Sequence, residues 1–276
     1  MPFRITPSTA SLAAQRYLDK SQRQAEKSLV ALASGSRVVH AGDDAAGYAI
    51  SESLRGQIAG TKQAKMNAGS AQALIQTAEG GLNEQNNILI RLRELAVYSA
   101  SDTIGDTERE FLDTEFQQLN AEFDRIAKST RYGNRQLLSG SGGEFEFQVG
   151  PFDGAENRIN FKLDADTTAS SVGIDGLSVS DQGDARSSLS DIDDALVQVA
   201  SVRATLGAAQ SRFQYAIDNL SVQAENLTGA RSQIIDVDVA EESSNLARAN
   251  ILQEAGIAVL SQANSDSVRA VRLIQG

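Results

Sequence analysis

The sequence has no cysteine, no tryptophan and only one histidine among its 276 residues. Without cysteine the chain can form no disulfide and perform no thiol chemistry, and a single histidine excludes a histidine cluster for a metal ion. Aromatic residues are also scarce, at 5%. Any core must therefore be built mainly from leucine, isoleucine, valine and alanine, which is typical of extended helical assemblies.

Long apolar runs are missing as well. No run approaches the roughly 18 residues that cross a bilayer, so we expect no membrane insertion. The first residues, MPFRITPSTASLAA, contain no apolar segment of the length found in a secretory signal peptide. We therefore expect no cleaved signal, and by the general export route the protein would stay in the cytoplasm.

Basic residues are outnumbered, with 25 Lys and Arg against 36 Asp and Glu and a formal net charge of -11. Such a surface repels nucleic-acid phosphates, and we predict no nucleic-acid partner. The charge is unevenly spread. Residues 1–65 contain nine basic and five acidic residues, whereas residues 134–195 contain four basic and twelve acidic residues.

What the chain does have is a long heptad pattern, in which apolar or small residues alternate at spacings of three and four. This seam comprises Gly47, Ile50, Leu54, Gln57, Thr61, Ala64, Ala68, Ala71, Ile75, Ala78, Leu82, Gln85, Leu89, Leu92 and Ala96. It predicts a helix roughly 75 Å long that packs along other helices. Gly80 and Gly81 interrupt the pattern, so packing against other elements has to hold the helix at that point, where a kink could form.

Two further seams predict two more helices. The shorter one comprises Leu112, Phe116, Leu119, Phe123 and Ile126. A capping box of Thr107 and Glu110 is expected to begin it. The longer one comprises Leu189, Ile192, Leu196, Val199, Arg203, Leu206, Gln210, Phe213, Ile217, Leu220, Ala224 and Leu227. Polar seam residues such as Gln85 are expected to fix the register between helices.

Between these helices the pattern changes to glycine, serine and aspartate. Phe145, Phe147 and Val149 are spaced by two, as are Ile159, Phe161 and Leu163. The spacing predicts a β-hairpin. Because its region is acidic and rich in turns, we expect it on the outside of whatever the helices build.

Both chain ends carry apolar helical faces. The N-terminal face comprises Leu18, Ala25, Leu29 and Leu32. The C-terminal stretch has two stripes, one of Leu252, Ala255, Val259 and Ala263 and one of Ile257, Leu260, Val271 and Ile274. A helix that is apolar on two sides is not stable alone in water, so contact with other copies or with another protein is expected.

A search for catalytic chemistry finds little. His40 lies near Asp43 and Asp44, where a loop residue beside a helix cap is the favoured interpretation over a general base. Asp191, Asp193 and Asp194 are expected at the start of the third helix, where carboxylates favour the dipole. Calcium binding there is the weaker alternative. We predict neither an enzyme nor a cofactor.

Three segments carry a family resemblance. ASGSRVVHAGDDAAGYAIS at residues 33–51, LIRLRELAVYSA at 89–100 and RSQIIDVDVAEESSNLARANILQEAGIAVLSQAN at 231–264 resemble, in this order, segments of bacterial flagellins. The resemblance implies a mainly α fold, with long antiparallel coiled-coil-like helices from both chain ends and a small β-hairpin region in the middle. It also implies the short form that lacks the variable outer domains of many flagellins.

The resemblance further implies two domains. Residues 1–44 and 235–276 would form an inner domain of terminal helices that lines the filament core. Residues 45–234 would form an outer spoke, with a β region at about 134–180. The chain would then be a structural subunit that self-assembles into the helical flagellar filament for motility. A hook-filament junction protein and a cytoplasmic coiled-coil scaffold are the alternatives.

Partners follow from the same resemblance. They are other copies of the chain in a homopolymer, the flagellar export apparatus, a secretion chaperone, the filament cap, hook-junction proteins and a host Toll-like receptor. The location implied is the extracellular filament, reached without a cleaved signal peptide.

The resemblance also assigns residues. Arg91, Leu95 and Glu115 match positions used for subunit packing and for recognition by the receptor, although Arg91 and Glu115 could equally form a solvated ion pair and Leu95 could be core. Packing of the inner helices is assigned to Leu18, Leu29, Leu32, Leu252, Val259, Leu260 and Ile274.

Overall fold

The structure is a computed structural model that describes residues 9–141 and 143–275, with side chains given except at positions 10 and 266–276. The helices are α1 (Thr9–Ser34), α2 (Ala45–Ser99), α3 (Asp106–Ser129), α4 (Gln182–Ile235) and α5 (Val239–Gln275). The strands are β1 (Arg131–Tyr132), β2 (Arg135–Gln136), β3 (Glu144–Gln148) and β4 (Arg158–Lys162). The predicted mainly α fold with a small β region in the middle is confirmed.

Two compact units make up the chain. The terminal unit comprises Met1–Gly56 with Asn226–Gly276, and the central unit comprises Gln57–Glu225. Each unit therefore takes part of α2 and part of α4. The domain division implied by the resemblance, at residues 44/45 and 234/235, stays a prediction.

Helix α2 follows the predicted seam closely within the central unit. Every seam position from Thr61 to Ala96 is buried. The helix also continues without a break through Gly80 and Gly81. A Cβ atom on Gly81 would lie 2.6 Å from Thr130 Oγ1 and 2.9 Å from Leu138 Cδ1, so this glycine lets the chain after α3 approach the helix closely.

The starts of α3 and α4 differ from the sequence predictions. Gly105 is the N-cap of α3 without a side-chain cap, so the Thr107–Glu110 capping box is wrong and Thr107 lies inside the first turn. Helix α4 begins at Gln182, which places Asp191, Asp193 and Asp194 well inside the helix rather than at its start. Its first turn is instead capped by Asp181, whose carboxylate accepts a hydrogen bond from Gly183 N at 2.7 Å.

The predicted hairpin is confirmed as the antiparallel pair β3–β4, in which Phe145 pairs with Phe161 and Phe147 with Ile159. A second, smaller pair, β1–β2, was not predicted; it turns through Gly133 at a φ of +59°. Glycine adopts this left-handed conformation without the steric cost of a Cβ atom.

The middle region is not confined to the outside, contrary to expectation. Ile159, Phe161, Ile174 and Val179 are buried in the same core as α2, α3 and α4. The ring of Phe147 also meets Phe213 of α4 edge-to-face, with the ring centroids 5.4 Å apart. Apolar residues on one face of a hairpin need a partner surface, and here the long helices provide it.

In the terminal unit α1 and α5 pack against each other and run antiparallel. Ser11 Oγ donates to Asn264 Oδ1 at 3.3 Å near one end, and Leu18 lies against Gly256 further along the pair. The chain segments beside the helices are tied by Arg37, whose guanidinium donates to Ile234 O at 2.7 Å. These contacts hold the terminal unit together.

Candidate assembly surfaces

The terminal unit leaves large apolar side chains in water. Those exposed on α1 and α5 are Leu12, Tyr17, Leu29, Val30, Val239, Ile251, Leu252, Ile257 and Val259. Their exposed fractions run from 47% at Val30 to 73% at Tyr17. Single exposed apolar residues are ordinary, but a concentration along two paired helices is typical of an interaction surface.

The side chains that α1 and α5 cover are small. Ser21, Ala25, Ser28 and Ala31 are buried on α1, and Ala249 is buried on α5. Small residues let two helices approach closely, but they remove little apolar area from water. The contact between α1 and α5 therefore buries less apolar area, and stabilises the pair less, than a contact between their larger apolar side chains would.

A cleft of about 480 Å³ lies between these two helices. Its walls include Tyr17, Leu18, Ala249, Leu252 and Gly256. Because several of these residues are apolar and open to solvent, the cleft is a concave part of the exposed apolar surface.

The residues assigned to inner-helix packing are divided by the structure. Leu18, Leu32 and Leu260 are half-buried. Leu29, Leu252 and Val259 are more than half exposed. The side chain of Ile274 lies outside the described residues. The apolar face of α1 that the leucines predict is therefore only partly the face that packs on α5. The residues of α1 that are fully buried have smaller side chains.

The second predicted site lies on α2 and α3. Arg91 donates to Glu115 Oε1 from Nε at 2.9 Å and to Glu94 Oε2 from Nη1 at 2.9 Å. Hydrogen bonds to Glu94 and then to Glu115 raise the pKa of the Arg91 guanidinium above its ordinary value. Leu95 is only 3% exposed. Arg91 and Glu115 therefore face solvent together, while Leu95 belongs to the core.

Sequence reasoning missed the role of Arg109, which is 8% exposed. Its Nε donates to Ser99 O at 3.0 Å, and its Nη2 donates to Ser101 O at 3.0 Å. It thus satisfies backbone carbonyls at the end of α2 and ties them to α3. No seam position signals this role, since Arg109 precedes the apolar pattern of α3.

The candidate catalytic residues occupy loops and caps. His40 is exposed, and its backbone N–H donates to Asp43 Oδ2 at 3.2 Å. Asp44 accepts a hydrogen bond from Gly47 N at 2.9 Å at the start of α2. Across the described part of the chain no three His, Cys, Asp or Glu side chains converge where they could hold a metal ion. Nor does any described helix combine the length and the apolar character needed to cross a bilayer.

The protein has long helices from both chain ends, a hairpin packed on the long helices and exposed apolar faces. These features define the class of helical structural proteins. The sequence matches two family descriptions, the bacterial flagellin N-terminal helical region over residues 5–142 and the bacterial flagellin C-terminal helical region over residues 189–274. The chain belongs to the bacterial flagellin family.

Individual relatives agree with this assignment. A flagellin of Halalkalibacterium halodurans is 38% identical over 271 residues, which cover 98% of this chain and 99% of that protein. The flagellar filament core protein flaB2 of Brachyspira hyodysenteriae is 36% identical over 286 residues, which cover 98% of this chain and 99% of that protein.

A solved structure is also similar. The crystal structure of Bacillus cereus flagellin has a TM-score of 0.51 at 28% identity and covers 60% of this chain and 94% of that one. The full-length matches are to flagellins and filament core proteins, which favours the filament subunit over a hook-junction protein or a cytoplasmic scaffold. The protein is a structural subunit of the bacterial flagellar filament.

Proposed function

We propose that the subunits polymerise through the exposed apolar faces of α1 and α5, which would line the filament core. The observation that supports this is the mismatch within the terminal unit: alanine and serine are covered, while Ile251, Leu252 and Val259 remain more than half exposed. Burying eight or nine such side chains would contribute on the order of 10 kcal/mol per subunit before association costs.

The polymer geometry follows from the two faces. A helix pair that offers apolar surface on more than one side contacts neighbours heterologously, and repeated heterologous contacts that do not close give an open helical polymer. Other copies of this chain are therefore the principal partner. The inner-core assignment of Leu18, Leu29, Leu32 and Leu260 belongs to this proposal.

We also assign the finer partners by family membership. The subunit would leave the cell through the flagellar export apparatus without a cleaved signal peptide, escorted by a secretion chaperone, and would be added beneath a filament cap onto hook-junction proteins. This route fits a subunit that exposes apolar faces and should not polymerise before it reaches the growing tip of the filament. Such a subunit needs no catalysis.

A matched pair of valines tests the assembly surface. Val259 on α5 is 58% exposed, and Val197 on α4 in the central unit is 68% exposed. Val259→Asn should reduce seeded elongation of purified protein at least tenfold, whereas Val197→Asn should leave it unchanged. Elongation is measured by light scattering and electron microscopy, and deletion of residues 235–276 should abolish it. Filaments from the deletion variant would contradict the proposal.

A second surface is proposed at Arg91 and Glu115, for subunit packing and for a Toll-like receptor. The supporting observation is that both side chains are nearly half exposed and hold each other in a fixed geometry. Leu95 would support this surface from beneath, since it is buried. Arg93, which is 47% exposed and paired with Asp193 at 2.7 Å, is the matched control for Arg91.

The test uses soluble monomer in receptor reporter cells. Arg91→Ala should weaken the response severalfold, and Arg93→Ala should not. No response to the wild-type monomer would remove the receptor from the proposal, while equal responses of the two variants would remove Arg91.

A further inference from the structure

The sequence contains two Asp–Gly dipeptides and no Asn–Gly dipeptide. Asp153–Gly154 lies in the connection between β3 and β4, and Asp175–Gly176 lies in the loop that precedes α4. An aspartyl side chain reacts with the following backbone amide most readily when that residue is glycine. Glycine has no Cβ atom to obstruct the amide nitrogen, and it permits the backbone rotation that the reaction needs.

The carboxyl group of Asp153 lies against the amide of the next residue. Gly154 N donates a hydrogen bond to Asp153 Oδ1 at 2.9 Å. This oxygen is bonded to Cγ, which is the carbon atom that the amide nitrogen would attack. Arg158 Nη2 donates to the same oxygen at 3.1 Å. The second donor restrains the carboxyl group from turning away from the amide, so the two reacting groups are held together.

The site is also open to water. The side chain of Asp153 is 99% exposed, and Phe152 beside it is 53% exposed. Gly154 has a φ of +142°, which favours glycine, and a Cβ atom at this position would clash with Glu156. The conformation of the loop therefore requires the residue that obstructs the reaction least.

The second dipeptide lacks this approach of the two groups. Asp175 and Gly176 are both exposed, and Gly176 also has a positive φ, of +74°. Its backbone is part of the loop, where the N–H of Asp175 donates to Ala169 O at 3.2 Å. Within the part of the chain that the structure describes, however, no hydrogen bond joins the Asp175 carboxylate to Gly176 N. The same dipeptide thus occurs once with its reacting groups together and once without.

We propose that Asp153 is a modification site, at which the aspartate converts to isoaspartate through a succinimide. In the first step Gly154 N bonds to Cγ of the protonated carboxyl group, and the hydroxyl group and the amide proton leave as water. In the second step water cleaves the ring. Cleavage at the main-chain carbonyl carbon of Asp153 gives isoaspartate, and cleavage at Cγ restores aspartate.

The reaction consumes one water and releases one, so isoaspartate has the same mass as aspartate. It places one additional carbon atom in the backbone between β3 and β4. Because the reaction takes place within a single chain, the inference goes beyond the proposed assembly and does not depend on it. The test therefore uses the unpolymerised full-length chain.

Isoaspartate is measured by peptide mapping, because it changes the retention of a peptide without changing its mass. Trypsin releases residues 136–158, in which Asp153 is the only aspartate, and residues 163–186, which contain Asp175. Fragment spectra assign the product within the second peptide. After prolonged incubation of the folded protein in mildly acidic buffer, isoaspartate at Asp153 should exceed that at Asp175 about fivefold, because only the first pair of groups is positioned to react.

A parallel incubation in guanidinium chloride separates the effect of the fold from that of the sequence. In the unfolded chain both dipeptides should form isoaspartate at comparable rates. Equal conversion of the two sites in the folded protein would overturn the proposal. A preference for Asp153 that persists unchanged in the unfolded chain would also overturn it, since the structure would then contribute nothing.

Two matched substitutions confirm the position of the product. Asp153→Glu keeps the carboxylate, but its reaction would need a six-membered ring, which closes far more slowly. This variant should lose the product from residues 136–158 and keep that of Asp175. Asp175→Glu should leave the conversion at Asp153 unchanged. A product of unchanged mass that persists in residues 136–158 of Asp153→Glu would contradict the assignment to Asp153.

Discussion

The central unit seals phenylalanine, leucine and isoleucine side chains from water, whereas the terminal unit covers mostly alanine and serine. The charges differ in the same sense, since the terminal unit is neutral by composition and the central unit carries the whole net charge of -11. One unit therefore has the core of a finished domain, and the other leaves apolar surface exposed. The proposed assembly would take its apolar contacts from the terminal unit, while the stability of the monomer comes mainly from the central unit.

The largest expected difference between the units comes from core truncation. Phe213 is fully buried and packs on Phe147, so Phe213→Ala should lower the free energy of unfolding by about 3–5 kcal/mol. Leu252→Ala, at a residue that is 55% exposed in the terminal unit, should change it by less than about 0.5 kcal/mol. Urea denaturation of the monomer, followed by circular dichroism, measures both. Similar losses at the two sites would erase the distinction between the units.

The next effect concerns a buried cation. Arg109→Met keeps much of the side-chain volume but removes the donor to Ser99 O and leaves Ser101 O with only the Ile104 N–H at 3.4 Å. It should cost about 2–3 kcal/mol. Arg125→Met is the control, because Arg125 lies on the same helix but is 62% exposed and pairs with the surface residue Glu122. It should cost less than about 1 kcal/mol. If Arg109→Met leaves the free energy of unfolding unchanged, the two carbonyls are hydrogen-bonded to water in the variant.

Two adjacent glycines of α2 test how tightly the central unit is packed. Nothing lies within 4 Å of a Cβ atom on Gly80, so Gly80→Ala should stabilise the helix by up to about 1 kcal/mol. Gly81→Ala would press on Thr130 and Leu138 and should destabilise by about 1–3 kcal/mol. Melting temperatures that move in the same direction for both variants would contradict the packing described here.

Much of the fold could be predicted from periodicity, because the long helices bury the side chains that recur with the heptad spacing. The seam of α2 and the two strands β3 and β4 follow directly from spacings of 3.5 and 2, as Leu82 and Phe147 illustrate. The strands of β1–β2 are two residues long, too short to show any period. The early start of α4 was hidden because its first turns, QGDARSS, have a loop-like composition.

The candidate sites were harder to predict for a physical reason. An excess of apolar surface at the chain ends can be counted from sequence, but which face of α1 meets α5 depends on how closely the backbones approach. The contact is made by residues such as Ala25 and Ser28 rather than Leu29. Likewise, Arg109 and Asn120 act on backbone carbonyls of distant segments, and no side-chain pattern encodes where those carbonyls lie.

The smallest expected effect is electrostatic and lies in the terminal unit. Lys27 Nζ contacts Asp43 Oδ1 at 3.0 Å, and this hydrogen bond, followed by that of the His40 backbone, lowers the pKa of the Asp43 carboxyl below its ordinary value. A lowered folded-state pKa stabilises the protein above the pKa of the unfolded chain, and this contribution is lost as the pH falls through the folded-state value.

Asp43→Asn should therefore reduce the melting temperature slightly at neutral pH, and the difference from the wild type should vanish in acid, below the folded-state pKa of Asp43. Asp19→Asn is a suitable control, because Asp19 is exposed on α1 and the substitution removes the same charge outside the loop between α1 and α2. A difference that persists in acid would mean that the loop between α1 and α2 depends on the shape of Asp43 rather than on its charge. In that case the contact between Lys27 and Asp43 would stabilise the terminal unit through packing rather than through charge. The difference in stability between the two units would then rest on the burial of apolar side chains alone.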